Sequence, residues 1–285
     1  MSALIEARNL SKKYGKYTAL EGVNLTIEPG RIVGLIGPNG AGKTSALRAI
    51  LGLTSYEGQL KVLEREPFKE RAALMRDACF IADVAVLPPW LAVKQALEFV
   101  AHTHPRFRRE RALELLGKTQ IPLSKRMREL SKGQKTQVHL ALSMAIDAKL
   151  LVLDEPTLGL DILARRAFYD ALVNDYMDET RTIVITTHQV EEIENLLTDA
   201  IFIDKGRIVL DDSLERIAER YVAVAAPADR LEAARGLKPF YQHAMLGRTV
   251  LYFEDVPRAS LVALGELHTP TIADLFVAKL SQGIA

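Results

Sequence analysis

The nine residues Gly37-Pro38-Asn39-Gly40-Ala41-Gly42-Lys43-Thr44-Ser45 constrain this chain more than any other stretch. They fit G-x-x-x-x-G-K-[ST], the pattern of a backbone loop that wraps phosphate. So short a pattern also occurs by chance, so its flanks decide. The apolar run 31–36 ahead of it reads as a buried strand. The run 45–52 behind it reads as a helix that stops at Gly52. Strand, glycine-rich loop and helix is the order such a loop requires. The glycines let the backbone curl with its N–H groups inward, and the helix start adds partial positive charge. Lys43 at the loop's end can reach outer phosphates, and the Thr44 hydroxyl can ligate Mg²⁺.

The rest of the composition is bland. A chain of 285 residues allows one large domain, or one with a small appendage. A net charge of +1 points to neither nucleic acid nor an anionic membrane. The lone Cys79 cannot form an internal disulfide, which fits a reducing compartment. There is no apolar signal core at the start and no run near the ~18 residues of a membrane span. These features predict a soluble, cytoplasmic chain whose membrane role, if any, comes through a partner.

Along the chain, 3–10 and 18–28 alternate apolar and polar, as strands of an antiparallel sheet. Tyr14 and Tyr17 fall on the connection between them. Glu57-Gly58 reads as a turn before a strand at 59–63, a short helix runs from Pro67 to about Met75, and 78–82 is a buried strand. Helical patterns at about 91–102, 107–117 and 133–147 then predict an inserted helical subdomain over 84–147. Ser131 stands at the start of the third helix, where Gly133 would let a ligand approach the backbone. On its own it reads first as an ordinary serine cap followed by a turn.

The apolar run 150–153 delivers Asp154 and Glu155 at its C-terminal end, which suits a parallel sheet whose ligands gather at that edge. Asp154 can hold Mg²⁺ through water, and Glu155 can take a proton from attacking water. Asp161 leads a helix to about Asp178. A strand at 182–186 is followed by His188, and a helix after it buries Val190, Ile193 and Leu197. A hairpin over 200–210 ends this part. From about Tyr221 a separate small unit carries strands at 221–225 and 249–253 and helices at 228–235, 258–264 and 272–280.

Four signals thus stand in a fixed order: the phosphate loop, Leu130-Ser131-Lys132-Gly133-Gln134, Leu153-Asp154-Glu155-Pro156, and His188 after the next strand. This order resembles the nucleotide-binding subunits of ATP-binding cassette (ABC) transporters over about residues 3–220. The resemblance implies an α/β P-loop NTPase core with an antiparallel β edge sheet, an inserted helical subdomain and a small α+β C-terminal unit. It implies an ATP- and Mg²⁺-dependent ATPase domain over 1–220, with 221–285 appended. It further implies a head-to-tail dimer, and separately encoded transmembrane permease subunits on the cytoplasmic face of the membrane. No nucleic-acid partner is expected.

By the same resemblance, Tyr14 matches the adenine-stacking aromatic, Lys43 the phosphate lysine, Thr44 the magnesium ligand, and Ser45 sits beside the phosphates. Asp154 matches the Walker B aspartate, Glu155 the general base, Asp161 the inter-subunit aspartate and His188 the γ-phosphate switch. Ser131, Lys132, Gly133 and Gln134 match the signature that faces the partner's ATP, with Lys132 where the family favours glycine. Asp83 stands where the family usually has glutamine, and would contact magnesium through water. The segment from Thr269 to Phe276 resembles tails of ABC-2-type exporters. The competing expectations are a soluble ABC-type ATPase acting on ribosomes or DNA, and a non-enzymatic nucleotide sensor. One phosphate loop and no sustained heptads weigh against the first, and Glu155 against the second.

Overall fold

The computed structural model describes residues 3–81, 87–158, 160–245 and 247–281. The chain begins with β1 (Ile5–Tyr14), β2 (Tyr17–Ile27) and β3 (Ile32–Ile36), then β4 (Glu57–Val62) and β5 (Ala78–Ile81). It continues with β6 (Leu150–Asp154), β7 (Thr182–Thr187), β8 (Asp199–Asp204) and β9 (Arg207–Ser213). The C-terminal part adds β10 (Tyr221–Ala226), β11 (Tyr241–Met245), β12 (Arg248–Glu254) and β13 (Glu266–His268).

The central sheet has six strands in the order β5-β6-β7-β3-β8-β9. All its neighbours are parallel except the β8–β9 hairpin. Every residue of β3, β6 and β7 is buried, as expected for parallel strands covered on both faces. Because β6, β7 and β3 are neighbours running the same way, their C-terminal ends open side by side. The phosphate loop, the two acids and His188 follow those ends.

A second, antiparallel sheet has the order β2-β1-β4. Here the strands run further than the alternation suggests: Tyr14 pairs with Tyr17 across the hairpin, so neither lies on a free connection. Glu57 and Gly58 belong to β4 and not to a turn. Gly58 has φ +91°, and a Cβ there would meet Asn9 O at 2.3 Å, so the glycine serves a close approach of strands. The short helix after Pro67 is confined to Arg71–Leu74.

The helices Val93–Thr103, Arg109–Gly117 and Lys132–Met144 lie in the expected insertion. Their buried residues, among them Leu97, Leu116 and Val138, join one apolar cluster with Leu151 and Ile183 of the central sheet. The helix after Asp161 is α-helical over Ile162–Ala171 and closes in a wider π turn over Leu172–Tyr176. That turn buries Tyr176, whose hydroxyl donates to Ala148 O at 3.3 Å. Past His188 the expected helix is instead two 3₁₀ turns, Val190–Glu192 and Glu194–Leu196. Val190, Ile193 and Leu197 are buried as the pattern implies. Short segments favour i→i+3 bonds over a nucleated α-helix, and Ile193 N donates to Val190 O at 3.0 Å.

The C-terminal residues form a four-stranded antiparallel sheet in the order β11-β12-β10-β13. Strands β11 and β13 were not legible as strands; β11 is a polar edge and β13 has three residues. The junction with the preceding strands is charged: Arg220 contacts Asp212 at 3.0 Å, Glu254 at 2.9 Å and Asp255 at 3.1 Å. The last helix, Ile272–Ser281, leaves its own sheet at one end and packs on the main core, where Phe276 meets Phe202 edge-on at 5.2 Å.

Gly52, just past the helix Lys43–Ile50, has φ +63°, and a Cβ there would lie 2.0 Å from Pro67 O. Gly52→Ala is therefore expected to destabilise the fold by more than the roughly 1–3 kcal/mol of a left-handed non-glycine residue. A lowered urea midpoint at unchanged slope is the readout; an unchanged midpoint would show that the Pro67 segment yields freely.

Candidate active site

Glycine shapes the phosphate loop because side chains have no room there. A Cβ on Gly37 would lie 2.4 Å from Ile203 O, and one on Gly42, with φ +113°, 2.5 Å from Ala19 O. The helix Lys43–Ile50 starts with no side-chain cap and no acid in its first turn. Its first N–H groups are thus open to an anion. Ala41 is buried beneath the loop, where its carbonyl accepts from Gly206 N at 2.8 Å.

Lys43 is only 7% exposed, and its Nζ donates to Gly37 O at 2.6 Å and Pro38 O at 3.2 Å. Burial lowers its pKa, against the opposing charges of Glu155 and Asp154. The Thr44 hydroxyl donates to Asp154 Oδ2 at 3.3 Å.

The two acids are fixed by one neighbour. Thr186, opposite Asp154 in the ladder, donates its hydroxyl to Asp154 Oδ1 at 2.5 Å and accepts from Glu155 N at 3.2 Å. Glu155 itself turns into the left-handed region at φ +48°. That conformation swings its carboxylate toward β7, where Oε2 accepts from His188 Nδ1 at 2.9 Å. The sequence reading missed Thr186, although a threonine ending a buried strand beside two acids was a signal that could have found it.

An open cleft of about 310 Å³ gathers Lys43, Thr44, Asp154 and Glu155, while Thr186 and His188 bond to the two acids and do not line it. Pro38, Asn39, Gly40, Gly42, Lys43, Thr44 and Ser45 line it, with Asp154 and Glu155 opposite. The aromatic on its wall is Tyr17, whose hydroxyl donates to Gly40 O at 2.8 Å. Tyr14 lies beside the helix instead. Burial raises its pKa, but hydrogen bonding with Thr54, Ser45 and Arg48 outweighs this and lowers it. A larger cleft of about 680 Å³ lies on the outer face of the β1–β4 pair and holds none of the motif residues.

Ser131 caps the helix Lys132–Met144: its hydroxyl accepts from Gln134 N at 3.2 Å, and its N–H donates to Gln134 Oε1 at 3.1 Å. Lys132 is exposed. A Cβ on Gly133 would find nothing nearer than Leu160 Cδ2 at 3.7 Å, so this chain alone does not require glycine there. Asp161 is the exposed cap of Ile162–Ala171, accepting from Ala164 N at 2.8 Å. None of these residues lines the cleft around Lys43. Arg165, unremarked in the sequence, donates to Leu160 O at 3.0 Å and Gln189 Oε1 at 3.2 Å, and also pairs with Glu192. Asp83 falls within 82–86, outside the described residues.

The profile of a family described as ABC transporter matches residues 20–158. Over 303 aligned positions the chain is 31% identical to Nod factor export ATP-binding protein I of Cupriavidus metallidurans, spanning 97% of each protein. The chain belongs to the ABC transporter ATP-binding subunits. It is also 30% identical over 226 residues to ABC transporter ATP-binding protein YtrB of Bacillus subtilis, spanning 79% of this chain and 77% of that one. A solved structure described as an ATP binding subunit of an ABC transporter matches it with a TM-score of 0.70 at 26% identity. That likeness spans 76% of this chain and 92% of the other. The ABC subunit described here is thus an ATPase of transporter type with a P-loop NTPase fold. Its relatives give no support to a role on ribosomes or DNA.

Proposed function

We propose that this ABC subunit hydrolyses ATP on the cytoplasmic face of the cell membrane to drive export through separate transmembrane subunits. The observation that carries the proposal is the meeting of Lys43, Thr44, Asp154, Glu155 and His188 at one sheet edge. The uncapped helix start and the loop N–H groups take the phosphates. Lys43 exchanges its two loop carbonyls for phosphate oxygens. The hairpin end carrying Tyr14 and Tyr17 is assigned to the adenine ring.

The Thr44 hydroxyl and Asp154 carboxylate, 3.3 Å apart, form an oxygen pair that fits Mg²⁺, Thr44 directly and Asp154 through water. Bound there, Mg²⁺ would neutralise charge on the outer phosphates. Asp83 is a further candidate for that ion on the sequence resemblance alone. Glu155 takes the proton of the attacking water, and His188, already bonded to Glu155, presents its other nitrogen to the γ-phosphate.

Ser131, Lys132, Gly133, Gln134 and Asp161 are assigned to the ATP of a second subunit packed head to tail. Their distance from this chain's own cleft supports that, as do Ile162 and Leu163, exposed beside Asp161 at 82% and 81%. Export is supported by the Nod factor export relative, whose alignment runs through the C-terminal unit, and the ABC-2 type rests on the resemblance of Thr269 to Phe276 alone. That unit, residues 221–285, is proposed as an appendage to the ATPase domain 1–220, which includes the helical subdomain 84–147.

Affinity purification of the tagged chain from detergent-solubilised membranes tests the proposal. A transmembrane protein with about six spans should co-purify and raise ATP turnover. Recovery with ribosomes or DNA, and no membrane protein, would overturn it.

A further inference from the structure

The helix Ile272–Ser281 has two anchorages. At its C-terminal end Ala278 is buried with Val250 and Tyr252 of the C-terminal sheet. Beside it, Lys279 Nζ donates to Glu254 Oε2 at 2.7 Å and lies 4.9 Å from the Tyr221 and Phe240 ring centroids. At its N-terminal end Ile272 and Leu275 are buried in the cluster that holds Val190, Ile193 and Leu197.

Three polar contacts fix that N-terminal end, and one of them reaches outside the helix. Thr271 accepts from Asp274 N at 3.0 Å and its hydroxyl donates to Asp274 Oδ2 at 2.8 Å, which closes the first turn. The Ile272 N–H is left pointing outward and donates to Glu194 Oε1 at 2.9 Å. A carboxylate at a helix start is favoured by both the hydrogen bond and the helix dipole. Glu194 lies six residues beyond His188 on the segment of two 3₁₀ turns. Arg165 holds the other flank of that segment through Gln189 and Glu192.

We infer that the C-terminal unit sets the position of His188, with Glu194 as the positioning residue that receives its terminal helix. This rests on the proposed role of His188 at the γ-phosphate. The segment is too short to hold a fixed path by its own hydrogen bonds. Its place is set by what it packs on: the main core beneath Val190, Ile193 and Leu197, Arg165 on one flank, and the terminal helix of the appended unit on the other. Movement of the C-terminal sheet then reaches the ATPase site through a rigid ten-residue helix, with no contact to nucleotide.

The test is a double-mutant cycle on the full-length chain, with kcat and the equilibrium Kd for ATP measured separately. Glu194→Ala is expected to lower kcat about tenfold, the order of one lost charge-assisted hydrogen bond. ATP affinity should stay within about twofold. Glu194→Gln, which keeps an acceptor oxygen, should restore most of the loss. In a His188→Ala background, Glu194→Ala should cost nothing further, because it acts through the histidine. Phe276→Leu, which loosens the helix from Phe202, should give the same signature and serves if Glu194→Ala does not fold.

Unchanged kcat in folded Glu194→Ala, alongside a normal loss in His188→Ala, would overturn this inference alone. So would an undiminished further loss in the His188→Ala background. Wild-type turnover by His188→Ala would overturn the reading of His188, and this inference with it.

Discussion

Glu155→Gln is expected to slow ATP hydrolysis by roughly 10²–10⁴-fold, the usual worth of a positioned general base, while ATP still binds. That is about 2.7–5.5 kcal/mol on the barrier. The substitution is nearly isosteric. It leaves the backbone N–H bonded to Thr186, and an amide oxygen can still accept from His188 Nδ1. What it removes is the basic lone pair that takes the proton of water. Unhydrolysed ATP should then hold two subunits together, with the phosphate loop of one against Ser131 and Gly133 of the other. Size-exclusion chromatography in Mg-ATP should show a dimer that is absent with ADP. Full turnover by the mutant would remove Glu155 as the base. A monomer with ATP bound at high protein concentration would count against the head-to-tail sandwich.

Lys43→Ala should abolish measurable hydrolysis and weaken ATP binding by roughly 10–100-fold, the worth of about 1.5–3 kcal/mol for hydrogen bonds from a charged group. Lys43 is buried, its polar contacts being two carbonyls of its own loop. Burial already disfavours its charged form, and an incoming triphosphate adds close counter-charge to that of Glu155 and Asp154. The gain on binding is therefore larger than for a solvent-exposed lysine. The melting temperature without nucleotide should fall modestly, since Pro38 is exposed but Gly37 is buried and its carbonyl loses the Lys43 hydrogen bond. Isothermal titration calorimetry reads the affinity. An unchanged Kd would mean that the loop N–H groups alone hold the phosphates.

The elements legible in the sequence were those whose reason is local. The phosphate loop, the buried runs of β3, β6 and β7, and the acids at the end of β6 follow from residue types in a row. The chain order of these signals also carried the family. What was illegible depends on partners distant in sequence. Tyr17 gains its place on the cleft wall through the carbonyl of Gly40, and Thr186 gains its role because β6 and β7 are neighbours. The segment after His188 has the apolar spacing of a helix, yet its surroundings tighten it into 3₁₀ turns. Strand β11 carries Tyr241, Gln242 and His243 at a sheet edge, so it lacks the apolar alternation that marks a half-buried strand.

The C-terminal sheet shares no ladder with either of the other two sheets among the described residues. Its attachment runs through side chains: the carboxylates around Arg220 and one face of the final helix. Genetic recombination near residue 220 would therefore leave every backbone ladder of the ATP-hydrolysing part whole. Exchange of this appendage would have to refit only the carboxylates around Arg220 and the few buried residues, among them Tyr221, Ile272 and Leu275, that it lends to the main core.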